Sequence, residues 1–211
     1  SEGIDVMHIG RDPVLPTGVA AILVDEAGRN SIVYVPGANS ALSVAEVEAA
    51  SAALGHAHAV LGQLEVPVEA LTRAFTRARA AGVRTILTPA PVRSGLEDLL
   101  SRTDVCMPNQ LELAELAGFP IASPEDAVRA ARQLLSCGPR EIVVTLGERG
   151  ALLVNAERML AVPAPSVVAV DTTGAGDAFC GGFAAGLVRY DGRVLDAARL
   201  GTAVAALSIT K

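Results

Sequence analysis

The chain has 211 residues, of which 51% are hydrophobic, 19% charged and 3% aromatic, and its formal net charge is −6. The apolar content excludes a disordered or collagen-like chain, and three cysteines, Cys106, Cys137 and Cys180, exclude a disulfide scaffold. Acidity with singly scattered arginines argues against a nucleic-acid surface, and no uninterrupted apolar run or basic leader points to a membrane span or secretion, so a reduced, cytoplasmic setting is expected.

In chain order, residues 18–24 and 31–35 read as two strands joined by the turn-rich 25–30, a hairpin that serves as a lid or an edge. From about residue 56 onward, β-branched apolar runs alternate with amphipathic stretches, the pattern of a mostly parallel sheet covered by helices. Strands are expected at 57–61, 84–87, 104–107, 141–145, 151–154 and 167–170. Helices are expected at 44–54, 67–81, 110–117, 124–136, 175–189 and 194–208. Ser43 with Glu46 forms a capping box, and Ser123-Pro124-Glu125-Asp126 supplies a cap, a first-turn proline and first-turn acids. The whole reads as one unit, 1–211, with the hairpin at 17–36 inside it.

The sole lysine is Lys211, so phosphate binding inside the chain cannot use a P-loop lysine. The strongest local signal is Asp171-Thr172-Thr173-Gly174-Ala175-Gly176-Asp177, between an apolar run and a small-residue helix. Glycines at a strand-to-helix turn let the N–H groups of Gly174, Ala175 and Gly176 converge on an anion at a helix start. A bare Gly-x-Gly is more often an ordinary helix start. Asp177 tips the balance, because a carboxylate one turn into an anion-binding helix would repel the anion unless it serves as general base for an acceptor hydroxyl. A small-molecule partner follows. Further along the chain stand Pro108-Asn109-Gln110-Leu111-Glu112 and Thr145-Leu146-Gly147-Glu148-Arg149-Gly150. Asn109 and Glu112 alone fit a helix cap, and Gly147 and Gly150 allow close backbone approach to a ligand.

The segment DTTGAGDAFCGGF resembles the C-terminal signature of the PfkB, or ribokinase-like, family of carbohydrate kinases, matching its D-T-x-G-A-G-D form at every fixed position. Asn109 to Glu112 resembles the family's N-x-x-E motif, and Thr145 to Gly150 its T-L-G-x-x-G turn. Gln63-Leu64-Glu65 is similar to a Q-L-E whose Glu contacts sugar hydroxyls, and Thr88-Pro89-Ala90-Pro91 is similar to N-P-A-P with Thr88 in place of Asn. Thr17-Gly18-Val19-Ala20 and the Gly37-Ala38-Asn39 region resemble segments flanking the family's lid hairpin.

The resemblance implies a three-layer αβα fold with part of a β lid, and transfer of the γ-phosphoryl group of ATP to the C5 hydroxyl of ribose. Alternatives are another acceptor (fructose, a ketodeoxy sugar acid or a nucleoside) or a non-catalytic nucleotide or sugar sensor on the same fold. It implies Asp177 as base and sugar contact, and Gly174, Ala175 and Gly176 as anion hole. Asn109, Thr145, Gly147 and Gly150 fall at the nucleotide, and Glu65 at the sugar. Glu112 would orient magnesium through water, and Asp171 and Thr173 would lie near a monovalent cation, usually potassium. It implies a homodimer through the lid. It also implies a chain trimmed at both ends, since the family's sugar-gripping Gly-Gly segment does not precede Ser1. His8, His56 and His58 lack zinc-site spacing.

Overall fold

The structure, a computed structural model, describes residues 2–24 and 30–210. Strands β1 (Val19–Val24) and β2 (Asn30–Val35) pair antiparallel as a separate two-stranded sheet. The expected turn at 25–30 lies almost wholly outside the described residues.

Two short helices, α1 (Val44–Ala49) and α2 (Ser51–His56), lead into the main sheet. One helix was expected over 44–54, but Ala50 leaves the helical region at φ −91°, ψ 5°, and the chain restarts at Ser51. The six-stranded sheet runs in order β3 (Ala59–Gln63), β4 (Arg84–Thr88), β5 (Val105–Cys106), β6 (Glu141–Thr145), β7 (Ala151–Val154) and β8 (Met159–Val162). The first four are parallel, and β6, β7 and β8 form an antiparallel meander. The β6–β7 and β7–β8 connections are too short to hold the crossover helix a parallel return needs. Sequence periodicity did not reveal β8.

The expected strand at 167–170 does not form. Pro163 and Pro165 remove backbone donors, Val168 and Val170 are exposed at 85% and 70%, and the Val170 N–H donates to Ile209 O at 2.7 Å instead of joining a ladder.

Alternation along the central strands sends side chains to two faces. Ile142, Val144, Leu152 and Val154 meet α3 (Val68–Ala80), α4 (Glu97–Leu100), α5 (Gln110–Ala117) and α6 (Pro124–Leu135) through Leu71, Phe75, Leu99, Leu113, Ala130 and Leu134. Val143, Ala151, Leu153 and Val162 meet α7 (Ala175–Arg189) and α8 (Val194–Ser208) through Phe179, Phe183, Leu187 and Ala197. This is a three-layer αβα sandwich. Helices α7 and α8 approach so closely that a Cβ on Gly186 would lie 2.6 Å from the Ala197 Cα, which only glycine tolerates. Among the described residues no helix is long and apolar enough to cross a membrane.

Candidate active site

In an open parallel sheet, ligands gather beyond the carboxyl ends of the strands, where successive connections diverge. The singled-out residues collect at that edge. Asn109 follows β5, Thr145 ends β6, Thr88 ends β4, and α7 begins beside them. The N-x-x-E and T-L-G-x-x-G segments are joined by backbone: the Thr145 N–H donates to Pro108 O at 3.0 Å, and Asn109 and Thr145 form an isolated parallel bridge.

A cavity of about 710 Å³ opens between the Thr145–Gly150 turn, residues 164–172, the start of α7 and the end of α8. Thr145, Gly147, Gly150, Ala175 and Gly176 line it, together with Phe179, Thr202 and Ile209. Its size suits a nucleotide. Gly150 shapes the wall: at φ 86°, a Cβ there would sit 2.0 Å from Val162 O. Asn109, Glu112, Gly174, Asp177, Asp171, Thr173 and Glu65 do not line this cavity.

Helix α7 starts from Gly174 at φ 74° with no side-chain cap. The Ala175 N–H folds back to Thr172 O at 3.2 Å, whereas the N–H groups of Gly174, Gly176 and Asp177 donate to nothing among the described residues. Of the three amides expected to face an anion, Ala175 is thus engaged within its own turn. Asp177 stands exposed in the first turn, its Oδ2 3.9 Å from the point a Cβ on Gly174 would occupy. Three residues on, Cys180 Sγ lies 3.4 Å from Thr88 Oγ1. Burial pushes that thiol above its ordinary value, the Thr88 hydroxyl works against the rise, and the charges of Asp177 and Glu112 reinforce it. Asp177, Glu112, Thr88 and Cys180 therefore share one neighbourhood.

Asn109 and Glu112 do form a capping box. The Glu112 N–H donates to Asn109 Oδ1 at 2.9 Å, and Glu112 accepts from the Asn109 backbone N–H at 2.9 Å and from Asn109 Nδ2 at 2.6 Å. Burial raises the Glu112 carboxyl above its ordinary value, partly offset by the Asn109 N–H. The neighbouring Gln110 accepts from Arg149 Nη2 at 2.6 Å and donates through Nε2 to Ile121 O at 2.9 Å, so both ends of its amide are used. Arg149 is thereby held at the cavity wall. The sequence singled out neither Gln110 nor Cys180, since a glutamine after a cap and a cysteine in an apolar helix carry no signal until the fold brings their partners near.

Asp171 Oδ1 accepts from the Thr173 N–H at 2.8 Å, which holds its carboxyl below the ordinary range. Glu65 sits just past β3, its N–H donating to Gln63 Oε1. The Tyr34 hydroxyl of β2 donates to Glu65 O at 3.4 Å, and Asn39 Nδ2 donates to Tyr34 Oη at 3.3 Å. The hairpin is tied to the sheet edge at the residue expected to meet the sugar.

An open αβα sheet with a nucleotide-sized cavity at its carboxyl edge, and an acid beside an uncapped helix start, has the parts of a phosphoryl-transfer enzyme. The profile described as pfkB family carbohydrate kinase matches residues 1–211, and the chain belongs to that family. It is 37% identical to a ribokinase of Haemophilus influenzae, over all of this chain and 68% of that protein. It is 36% identical to a deoxyribokinase of Salmonella typhi, over all of this chain and 69% of that protein. The solved structure of Arabidopsis thaliana ribokinase complexed with ribose and ATP superposes with a TM-score of 0.81 at 29% identity, covering 94% of this chain and 64% of that one.

Proposed function

We propose that the chain carries the nucleotide site and catalytic base of an ATP-dependent sugar kinase that phosphorylates ribose at its C5 hydroxyl. The observation carrying this reading is the uncapped start of α7, with free N–H groups at Gly174 and Gly176 and the Asp177 carboxylate on the same turn. Asp177 takes the proton of the attacking hydroxyl, making the oxygen nucleophilic as it approaches phosphorus. The free amides and the α7 dipole stabilise charge on the transferring phosphoryl group. Thr145, Gly147 and Gly150 line the nucleotide cavity, with Asn109 bridged to Thr145 beside it, and Arg149, steadied by Gln110, supplies the cation that no lysine provides. Glu65 meets the sugar beneath the hairpin, which acts as lid.

Glu112 fits magnesium. It is a hard oxygen donor, half-buried and singly placed, and magnesium is commonly held by one or two carboxylates, substrate phosphates and retained waters. The ion would neutralise charge between the ATP phosphates. Asp171, its carboxyl held below the ordinary range by the Thr173 N–H and hydroxyl, fits a potassium ion that steadies the turn into α7. The hairpin face bearing Val19, Leu23, Val33 and Val35 is exposed at 55–62%, which suits a second lid and a homodimer. Three free thiols suit a reducing cytoplasm.

A second acceptor, 2-deoxyribose, is favoured by the deoxyribokinase relative and by Thr88 replacing an amide next to Cys180. ADP release measured with ribose, 2-deoxyribose, fructose and a nucleoside tests both. Ribose giving the highest kcat/KM is expected. ATP binding without sugar-dependent ADP release would instead identify a sensor.

A further inference from the structure

The sheet edge opposite the active site holds a second hollow, of about 400 Å³, at the amino ends of β4, β5 and β6 and beneath the α7–α8 turn. Arg79, Arg84 and Arg140 border it, with Asp104 and Glu141. Three guanidinium groups against two carboxylates leave one positive charge in excess in this hollow of an acidic chain, and Asp104 is partly engaged with Thr85. Asp104 Oδ2 accepts from the Thr85 N–H at 3.0 Å and from Thr85 Oγ1 at 3.2 Å, leaving only Oδ1, at 3.6 Å, for Arg140. Glu141 Oε1 accepts from Asn155 Nδ2 at 3.2 Å.

The arginines themselves are steadied by backbone carbonyls. Arg79 Nη1 donates to Ser101 O at 2.7 Å, and Arg84 Nη1 donates to Gly192 O at 2.9 Å. A Cβ at residue 192 would fall 2.8 Å from Arg84 Nη2, so the guanidinium packs directly on that turn, next to Asp191 at an uncommon φ of 50°. Among the described residues neither Arg79 nor Arg84 is paired with a carboxylate. Each guanidinium has five N–H donors, so several remain on arginines whose positions are already set. Phosphate matches such planar forks in charge and geometry. The remaining walls include Gly82, Val83 and Val194, which leave room beyond a phosphate for an uncharged body.

We propose that the hollow bordered by Arg79, Arg84 and Arg140 binds a small phosphomonoester, a phosphate group on a sugar-sized body, at a site separate from the catalytic one. It does not depend on which sugar the kinase accepts.

The test is calorimetric titration of the purified protein with ribose 5-phosphate and inorganic phosphate, its catalytic site filled by a non-hydrolysable ATP analogue and ribose. Ribose 5-phosphate is expected to bind, with inorganic phosphate at least about tenfold weaker. Arg84→Gln should weaken the ester about tenfold and the exposed Arg140→Gln about threefold, while Asp177→Asn leaves it unchanged. Should Arg84→Gln fail to fold, Arg84→Lys, which keeps the charge and loses the fork, and Arg140→Gln carry the test. The proposal is overturned by no binding to the unaltered protein, by unchanged affinity in the arginine variants, by loss in Asp177→Asn, or by inorganic phosphate binding as tightly as the ester.

Discussion

Helices α5 and α6 on one face of the sheet and α7 on the other begin in opposite ways. Asn109 with Glu112 and Ser123 with Asp126 close capping boxes, so in each the N-cap and third-residue amides are satisfied by side chains of the same turn. Helix α7 begins on a left-handed glycine with no side-chain cap, and the Gly176 and Asp177 N–H groups find no acceptor among the described residues. A cap at a helix start contributes about 1 kcal/mol, so its absence from a fifteen-residue helix forgoes local stability. The tight α7–α8 contact holds the helix in place without the cap. Helices α3 and α8 also begin without a side-chain cap, so what sets α7 apart is the left-handed glycine at its start with Asp177 in its first turn.

Breaking the open end should have the largest effect. Asp177→Asn is expected to lower turnover by about 10²–10⁴ while leaving ATP affinity nearly intact, read by coupled ADP release beside calorimetry. Near-normal turnover would remove Asp177 from the base role. Next comes the cation at the cavity: Arg149→Ala should weaken ATP about tenfold and adenosine hardly at all, because only the phosphates meet the charge. Equal loss for both ligands would mean that Arg149 merely shapes the wall.

At a capped end the outcome should reverse. Ser123→Ala is expected to cost about 1 kcal/mol in urea unfolding with turnover unchanged. A turnover loss matching the stability loss would contradict the division between the two kinds of helix start.

The smallest effect is expected at Glu112, where cap and proposed metal site coincide. Burial raises its carboxyl in the folded state, so between the ordinary value of 4.5 and that raised value the folded chain holds a proton the unfolded chain has lost. Its contribution to stability is present below pH 4.5 and is lost as pH rises through the folded value. Glu112→Gln keeps the N3 acceptor and removes the buried charge. The variant should match the parent near pH 4 and be slightly more stable at pH 7 in thermal melts. A constant offset across that range would show that burial of the charge is not the cause.

Much of the α/β order was legible in the sequence. Helices 110–117, 175–189 and 194–208 and strands 141–145 and 151–154 fall where periodicity and caps put them. The misses share a cause. Residues 167–170 have strand composition but no neighbouring strand to pair with. Met159–Val162 is a strand because β7 offers it an edge. Pairing is a long-range property, and a local window registers only propensity. The candidate site divides the same way. The glycine turn, Asp177 and the N-x-x-E and T-L-G-x-x-G segments could be read as residues, whereas the Gln110 to Arg149 bridge and the approach of Thr88 to Cys180 join positions far apart in the chain.

The sequence by itself determined that this chain is acidic and α/β, that it has no internal lysine, and that a glycine turn precedes Asp177 at a helix start. These follow from composition and from contacts within one helical turn, where neighbours in sequence are neighbours in space. Tertiary structure alone decided that the sheet ends in an antiparallel meander, that Arg149 meets Gln110, and that arginines gather at the far edge of the sheet. Those facts depend on which strands pair and which donors are already taken, and both are settled only when the layers pack.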